Sequence, residues 1–377
     1  MDFRSLVNRL ERLDESFLGK SHLEHPEDLV FHYGVHGAEQ ALDLMLQTIQ
    51  YPRTITTKYD GFPALIWGRD DAGKFSIMDK HMFNRKDGTG RQIYSPEDFV
   101  EYDSKRNISR DSLYGIISNI WPGLERSMQD KGYFWGDLLF GSPVQPQNGV
   151  FTFKANPNGI TYVVDQNSII GELITDKVGL IAVHHWVPSY SVHLDIDAES
   201  LDGGLGAAIN NSNVALLPTK LPIVPVLVTD TDLVQEIRSM IERSSEVISA
   251  LRNTDDADVM KGLFTSYANY RVRSGNLNNM GSDFLEYIAQ KRPSAAHSRI
   301  SEHVQQNNEG VMGAFAIWSA LYALKMNIVS QLDTANLQSP IRGYLDNGTQ
   351  AQEGYVANGI KLVNRLGFSM QNLNGSR

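Results

Sequence analysis

The spacing of hydrophobic residues changes along the chain, and each change predicts a different kind of element. In residues 1–50, apolar residues recur every three to four positions, which is typical of amphipathic helices. From 54 to about 228, short apolar and β-branched runs alternate with Gly, Pro, Asn and Asp, which predicts strands. Helical spacing returns from 229 to about 339 and predicts four or five helices, and strand-like runs follow at 340–377.

A sheet-rich part that is interrupted by a helical block and then resumes predicts an α+β fold with an inserted subdomain. We expect one domain formed by 1–228 and 340–377, whose first 50 residues are helical. The block at 229–339 is then an all-helical insertion.

Composition narrows the classes of protein that fit. The 377 residues are 41% hydrophobic and 21% charged, which is ordinary for a soluble globular protein. We found no apolar run near the roughly 20 residues that span a bilayer and no signal-peptide pattern, so we predict a cytoplasmic monomer without a membrane partner. Cysteine is absent, so any metal must be bound by oxygen or histidine.

The net charge of −10 argues against a surface made for indiscriminate nucleic-acid binding but allows a local basic groove. The first basic cluster after residue 54 is more simply an ordinary solvated face, and consists of Lys80, Arg85, Lys86 and Arg91.

The segment Thr57-Lys58-Tyr59-Asp60-Gly61 carries the most informative chemistry. β-Branched and apolar residues flank it on both sides, so Lys58 is predicted to lie where one buried strand gives way to another. A lysine removed from water near other cations becomes a neutral nucleophile. Asp-Gly is also a common turn, so the segment needs partners elsewhere in the chain.

Three such partners follow in order along the chain: Asn84-Arg85-Lys86-Asp87-Gly88, Phe134-Trp135-Gly136-Asp137-Leu138, and the pair Glu353-Gly354-Tyr355-Val356 and Ile360-Lys361-Leu362-Val363. This series resembles the motifs of the covalent nucleotidyltransferase superfamily, which comprises ATP-dependent DNA ligases, RNA ligases and mRNA-capping enzymes. The opening segment at 22–30 is similar to that of a phage-encoded, ligase-like group. The resemblance implies a ligase-type fold, with ATP-grasp-like antiparallel sheets and flanking helices, in the host cytoplasm if the protein is phage-encoded.

By this resemblance, Lys58 is the nucleophile that takes AMP from ATP. Asp60 and Gly61 lie beside it in the nucleotide site. Arg85 matches the arginine that contacts the ribose or a nucleic-acid phosphate. Asp137 stands where the family has glutamate, and as a shorter carboxylate it can still bind a ribose hydroxyl or a metal.

The later motifs imply the remaining contacts. Tyr162 matches an aromatic ring that stacks on the base, with Phe153 as a rival for that role. Glu353, together with Asp137, is implied as a ligand of Mg²⁺, for which Mn²⁺ can substitute. Lys361 is implied to neutralise the α-phosphate.

The spacing between Glu353 and Lys361 tests this assignment. A two-residue loop at Asn358-Gly359 would put the two side chains on opposite faces of the hairpin. A three-residue loop at 357–359 pairs Tyr355 with Lys361 and returns both to one face. We predict the three-residue loop.

The helical block supplies candidates for contact with nucleic acid. DNA ligases and capping enzymes normally carry an OB-fold after the last motif, and we expect none here because only residues 365–377 follow. Some RNA ligases use a helical domain instead, which favours RNA over DNA. The basic and aromatic candidates are Tyr267, Tyr270, Arg271 and Arg273, and helix packing explains the two tyrosines about as well.

We therefore expect an ATP-dependent polynucleotide ligase that joins 5′-phosphate to 3′-hydroxyl ends through a lysyl-AMP intermediate. The alternatives are a nucleotidyltransferase with another acceptor, such as a protein, a small molecule or an RNA end, and a non-catalytic nucleic-acid-binding descendant. His184 and His185 are neighbours in a predicted strand, whose side chains alternate between faces, and are treated as structural.

Overall fold

The structure of the protein is a computed structural model. It describes residues 23–59, 61–85, 89–128, 130–154, 160–189, 192–195, 213–221, 223–290, 295–337, 339–345, 348, 350 and 354–366. The predicted helix before residue 23 lies outside the described residues.

Within this part of the chain the fold is mixed α+β, as the spacing of apolar residues predicts. The helices are α1 (Leu29–Gln50), α2 (Lys80–Phe83), α3 (Pro96–Ser104), α4 (Asp111–Ser127), α5 (Ile169–Ile174), α6 (Thr231–Arg252), α7 (Ala257–Ser274), α8 (Met280–Gln290), α9 (Ala295–Gln306) and α10 (Asn308–Ala335). The five helices from α6 to α10 confirm the predicted helical block.

Twelve strands are described. They are β1 (Thr56–Thr57), β2 (Ala64–Arg69), β3 (Phe75–Asp79), β4 (Gly132–Phe140), β5 (Val150–Lys154), β6 (Ile160–Asp165), β7 (Gly179–Ser189), β8 (Val192–Asp195), β9 (Val214–Pro218), β10 (Ile341–Leu345), β11 (Tyr355–Ala357) and β12 (Ile360–Leu362).

The chain divides into two compact units. The sheet unit consists of Thr56–Ile223 and Asn336–Glu353, and the helical unit of Met1–Ile55, Val224–Ala335 and Gly354–Arg377. The helices that we predicted to be an insertion are thus grouped with α1 and with β11 and β12. This division differs from the predicted domains, because long-range packing rather than the order of element types decides it.

In the sheet unit, the larger sheet has the order β3-β2-β4-β7-β8, with β9 parallel to β7 and the other pairs antiparallel. A second, antiparallel sheet has the order β10-β6-β5. Side chains of neighbouring residues in a strand point to opposite faces of the sheet, so they pack in different hydrophobic cores. Leu138 packs in the core that includes residues of α3 and α4, whereas Leu139 packs against Phe151 and Tyr162 of the second sheet.

The helical unit is built around α1 and α10. The residues that predicted the buried face of α1 are all buried: Ala38, Ala41, Leu42, Met45 and Ile49. The helix α10 is long and apolar enough to cross a membrane, but 56% of its most apolar window is buried. Phe315 and Trp318 of α10 pack on Phe31 of α1, as expected of a core helix in a soluble protein.

Four charged side chains form a buried charge network inside this unit: Glu27, Asp28, Lys325 and Arg365. Glu27 Oε1 accepts from Lys325 Nζ at 2.5 Å and from Arg365 Nη1 at 3.0 Å. Asp28 Oδ1 accepts from Arg365 Nη1 and from Trp318 Nε1, each at 2.8 Å. Two carboxylates thus face two cations, and no member exposes more than 5% of its side chain.

Burial and pairing oppose each other at Glu27. Burial by itself raises the pKa of a carboxyl group, but the charges of Lys325 and Arg365 outweigh it and lower the pKa of Glu27 to about 2. The carboxylates therefore hold the residues just before α1 against α10 and Arg365. A charge removed from this network would leave its partners buried and uncompensated.

The hairpin of β11 and β12 contradicts the predicted loop. Tyr355 pairs with Leu362, Val356 with Lys361 and Ala357 with Ile360, which leaves a two-residue loop. Asn358 and Gly359 have φ values of 49° and 75°, as the tightest hairpin turn requires, and Asn-Gly is its preferred sequence. The prediction of a three-residue loop is therefore wrong.

Candidate functional site on the larger sheet

The Lys58 segment is fixed on its amino-terminal side by the strands of the sheet unit. Thr57 N donates to Thr219 O at 2.6 Å, just after β9. The hydroxyl of Thr219 in turn donates to Val183 O of β7 at 3.1 Å. Lys58 follows directly and is half-buried. The segment therefore begins at a residue that is linked through Thr219 to Val183 of β7, and Val183 directly precedes His184.

On the other side, the same segment is fixed to β4. Phe62 N donates to Leu138 O at 3.0 Å. Gly61 lies so close to β4 that a Cβ atom there would be 2.3 Å from Leu138 O. Only glycine permits this approach, which explains the glycine of the Lys-x-Asp-Gly motif. The segment thus returns to the sheet next to Asp137.

Asp137 lies in a row of side chains that crosses the larger sheet. It pairs with Ala64 of β2 on one side and with Ala182 of β7 on the other. Leu65 pairs with Asp79, the last residue of β3, and Lys80 follows as the first residue of α2. Lys80 therefore lies at the end of the strand next to β2, and β2 is next to the strand that bears Asp137.

Around this row lies a group of half-buried side chains that we call the open cluster: Lys80, Trp135, Asp137, His184 and His185. Lys80 Nζ lies 5.8 Å from the centre of the Trp135 ring. His184 Nε2 lies 3.6 Å from Asp137 Oδ2, and these side chains keep 25% and 20% of their surface exposed. The open cluster thus combines a cation, an anion, two imidazoles and an aromatic ring that water reaches.

Both histidines belong to this cluster because β7 has a bulge. Trp135 opposes His185 while Gly136 opposes Val183, so His184 is an extra residue between them. The ring centres of His184 and His185 lie 4.6 Å apart, and their Nδ1 atoms are in hydrogen-bond contact. Their rings also lie 6.2 and 5.9 Å from that of Trp135. The expectation that the two histidines point to opposite faces is therefore wrong.

The environment of Lys80 changes its acidity. Burial lowers the pKa of this lysine, and the negative charge of Asp137 raises it in part. An ammonium group that has lost part of its hydration gains more from a second anion than a fully solvated one does.

Arg85 contacts α3. Its Nη1 donates to Tyr102 Oη of α3 at 3.2 Å, and its guanidinium carbon lies 5.7 Å from the centre of that ring. Asp60 lies outside the described residues, as do 86–88 of the same predicted motif. Of the predicted nucleotide contacts, the structure therefore brings Lys58, Gly61 and Asp137 into one neighbourhood.

Tyr162 does not present a free ring face. It is 2% exposed, and its ring lies 5.5 Å from Phe153 and 5.9 Å from Tyr59. Phe153, its rival for base stacking, is 6% exposed in the same core. These aromatic residues anchor Tyr59, the neighbour of Lys58, to the second sheet. Trp135 is the half-buried aromatic residue of the open cluster instead.

Of the last two motif residues, Glu353 and Lys361, the structure describes only Lys361. Glu353 lies outside the described residues. Lys361 lies in β12 of the helical unit, where its backbone N donates to Glu24 O at 3.0 Å. It stands opposite Val356 in the hairpin, so the loop argument for a shared face with Glu353 no longer holds. The roles that the resemblance implies for these two residues stay predictions.

The predicted nucleic-acid cluster of the helical unit is split by burial. Arg271 is 6% exposed and donates to Tyr267 Oη, to Asn276 O and to Asp283, which stabilises the turn between α7 and α8. Tyr267 is 1% exposed in an aromatic core. Tyr270 is 56% exposed, and Arg273 is also exposed. The last two can contact a ligand, whereas Arg271 and Tyr267 serve packing.

The described carboxylate and imidazole groups do not form a metal site by themselves. Among the described residues, no group of three or more His, Asp or Glu is placed to bind a metal ion. Asp137 is a partly exposed carboxylate, and Mg²⁺ commonly uses one or two carboxylates together with phosphate oxygens and water. A substrate-dependent Mg²⁺ site at Asp137 therefore fits the donors, whereas a site made by protein groups alone is not found in the described residues.

The sequence alone did not identify four members of the open cluster: Lys80, Trp135, His184 and His185. Lys80 was grouped with solvated basic residues, because its position at the end of β3 depends on the pairing of β2 with β3. The Trp135 motif was used for Asp137 alone, although residues two apart share a strand face. That alternation is the signal that could have identified Trp135.

The fold and the geometry of the site together define a mixed α+β protein with a half-buried cluster of charged side chains at one sheet. The chain belongs to the family of unknown function DUF6267, which it matches over residues 20–377. No curated protein and no solved structure matches the chain.

Proposed function

We propose that this protein is an ATP-dependent polynucleotide ligase of the covalent nucleotidyltransferase type, with Lys58 as the nucleophile. The observation that carries the proposal is that the Lys58 segment is fixed at both ends to the larger sheet, at Thr219 after β9 and at Leu138 of β4. Hydrogen bonds at Thr57 and Phe62 hold it beside the strand that bears Asp137. Two motifs far apart in the sequence thus share one neighbourhood, which is what the motif series requires of a nucleotide site.

The proposed reaction has three steps. Lys58 Nζ attacks the α-phosphorus of ATP, so that an N–P bond forms while the bond to pyrophosphate breaks and the amine loses a proton. An oxygen of a 5′-phosphate end then displaces the lysine, which regains its proton. A 3′-hydroxyl finally displaces AMP from the activated end and loses its proton.

The open cluster supplies groups that such a reaction needs. Asp137 can accept a hydrogen bond from a ribose hydroxyl or bind Mg²⁺, with Mn²⁺ as a substitute. The chemistry that the metal supplies when bound is neutralisation of charge on the phosphate oxygens.

The partners of this proposal are RNA or DNA ends, in the cytoplasm of the cell. The structure weakens the argument that favoured RNA, because Arg271 and Tyr267 are buried. Both polymers should therefore be tested as substrates.

The test is incubation of the purified protein with α-labelled ATP and Mg²⁺, followed by denaturing electrophoresis. We expect an acid-labile label on the wild type and none on Lys58→Ala. The matched control is Lys105→Ala, because Lys105, directly after α3, keeps 72% of its side chain exposed and should label normally.

A parallel reaction with α-labelled GTP distinguishes capping-type chemistry. Labelled protein is then offered nicked duplexes and single-stranded ends of RNA and DNA. Sealing supports the ligase, whereas transfer to another acceptor supports the alternative nucleotidyltransferase. Absence of label from folded wild-type protein would overturn the covalent mechanism and favour a nucleic-acid-binding protein.

A further inference from the structure

We infer that Lys80 binds the phosphate groups of the nucleotide at the open cluster, an inference that rests on the proposed function for the identity of the nucleotide. The motif series names no residue at this position, and it implies phosphate neutralisation by Lys361 instead. Lys80 directly follows β3, which pairs with β2, and β2 pairs with the strand that bears Asp137.

The shape of the row supports an anion between Lys80 and Asp137. Directly paired residues in a sheet project from the same face, so Ala64 and Asp137 share a face. Trp135 lies on it too, because it precedes Asp137 by two residues. The contact of Lys80 Nζ with the Trp135 ring brings the ammonium group to this face.

The charges near Asp137 are compatible with a polyphosphate. The negative charge of Asp137 acts on Lys80, and His184 Nε2 lies 3.6 Å from Asp137 Oδ2. An ATP phosphate adds negative charge beside Lys80, and Mg²⁺ at Asp137 would offset the repulsion between that carboxylate and the phosphate oxygens.

The Lys58 segment borders the same row, which places the inferred phosphate site beside the nucleophile. Gly61 packs on Leu138, one residue from Asp137, and β2 begins at Ala64 directly after this segment. A phosphate chain held between Lys80 and Asp137 would therefore be bordered by the segment that carries the attacking amine. Proximity of this kind is the main contribution that an enzyme makes to phosphoryl transfer.

The test measures binding without chemistry, in a Lys58→Ala background that prevents labelling. Calorimetry with Mg²⁺ compares ATP, tripolyphosphate and adenosine as ligands of three variants, Lys80→Gln, Lys80→Arg and Lys74→Gln. Lys74 is the matched control, because it also lies over an aromatic ring, Tyr94 at 4.8 Å, next to the opposite end of β3. Thermal unfolding of each variant shows whether it is folded.

We expect Lys80→Gln to weaken ATP and tripolyphosphate by about tenfold to a hundredfold, the usual size of a lost charge-assisted hydrogen bond. Adenosine should change by less than about twofold, since it has no phosphate, and Lys74→Gln should bind as the background does. Lys80→Arg should keep most of the affinity because it keeps the charge.

Equal loss of ATP and adenosine, or no loss with either phosphate ligand, would overturn the inference. Failure of the proposed function gives a different result. Lys80-dependent binding of tripolyphosphate by a protein whose Lys58 never takes label would leave the phosphate site intact and remove the ligase.

Discussion

Glu27 and Lys325 of the helical unit have no exposed side-chain surface, whereas Asp137 and His184 of the sheet unit keep 20% and 25% of theirs. Both regions combine carboxylates with basic groups, so composition does not distinguish them. In the buried charge network each carboxylate accepts from cations at 2.5 to 3.0 Å. In the open cluster Asp137 Oδ2 lies 3.6 Å from His184 Nε2, and the aromatic ring beside them is half-buried.

The difference indicates what each group of charges does. A buried network whose charges compensate one another has no capacity left for a ligand, and its members are costly to remove singly. A half-buried cluster can exchange water for a ligand, and its members contribute less to folding. Stability should therefore depend on the first region and ligand chemistry on the second.

The largest expected effect is the loss of one charge from the buried charge network. Glu27→Gln and Lys325→Met should each lower the free energy of unfolding by about 3–5 kcal/mol, because each leaves buried partners without compensation. The double variant should lose less than the sum, since the two residues form one pair. Urea unfolding measures all three.

Lys105→Met is the control, because its ion pair with Glu101 is exposed and should contribute less than about 0.5 kcal/mol. The pH dependence checks the cause. The pKa of Glu27 falls from 4.5 to about 2 on folding, so its stabilisation is complete above pH 4.5 and is lost as the pH falls towards 2. The stability difference between wild type and Glu27→Gln should shrink over that range. A constant difference would contradict the assigned pairing.

Sequence patterns predicted the elements of both regions better than their contacts. The strand-rich part predicted at 54 to about 228 contains β4 and β7, and the apolar face of α1 is buried. These patterns depend on local periodicity. The bulge at His184 depends on which residues of β4 face β7, and that pairing is a long-range property.

The same reason explains the errors at Tyr162 and at the hairpin. An aromatic ring in a strand indicates burial or ligand contact equally well, and only the packing of Phe153 and Tyr59 decides between them. The loop length was inferred from a function that Glu353 and Lys361 were expected to share. The local preference of Asn358-Gly359 for a two-residue turn was the better guide.

The next largest effect is expected in the open cluster, where a substitution should change the rate of labelling more than the free energy of unfolding. Asp137→Asn should lower the initial rate of Lys58 labelling by about tenfold to a hundredfold, because it removes a charge-assisted contact to the metal or ribose. Its free energy of unfolding should change by less than about 1 kcal/mol, since the side chain is partly exposed.

Asp137→Glu, which restores the carboxylate of the family pattern, should keep most of the rate. Asp111→Asn provides the control, because Asp111 is an exposed carboxylate at the start of α4. Loss of several kcal/mol of stability in Asp137→Asn would show that the open cluster is a structural network like that of Glu27.

The smallest expected effect separates two arginines of the helical unit that are two residues apart. Arg271 is held by hydrogen bonds in the turn after α7, whereas Arg273 is exposed beside Tyr270. Arg273→Gln should change the free energy of unfolding by less than about 0.5 kcal/mol. If Arg273 contacts a phosphate of RNA or DNA, the slope of log affinity against log salt should fall in magnitude by about one.

Titrations at several salt concentrations measure this slope, with Arg238→Gln on α6 as an exposed control. An unchanged slope in Arg273→Gln would remove this face from the nucleic-acid site and leave the open cluster, in the sheet unit, as the region to search for the contacts of the polymer end.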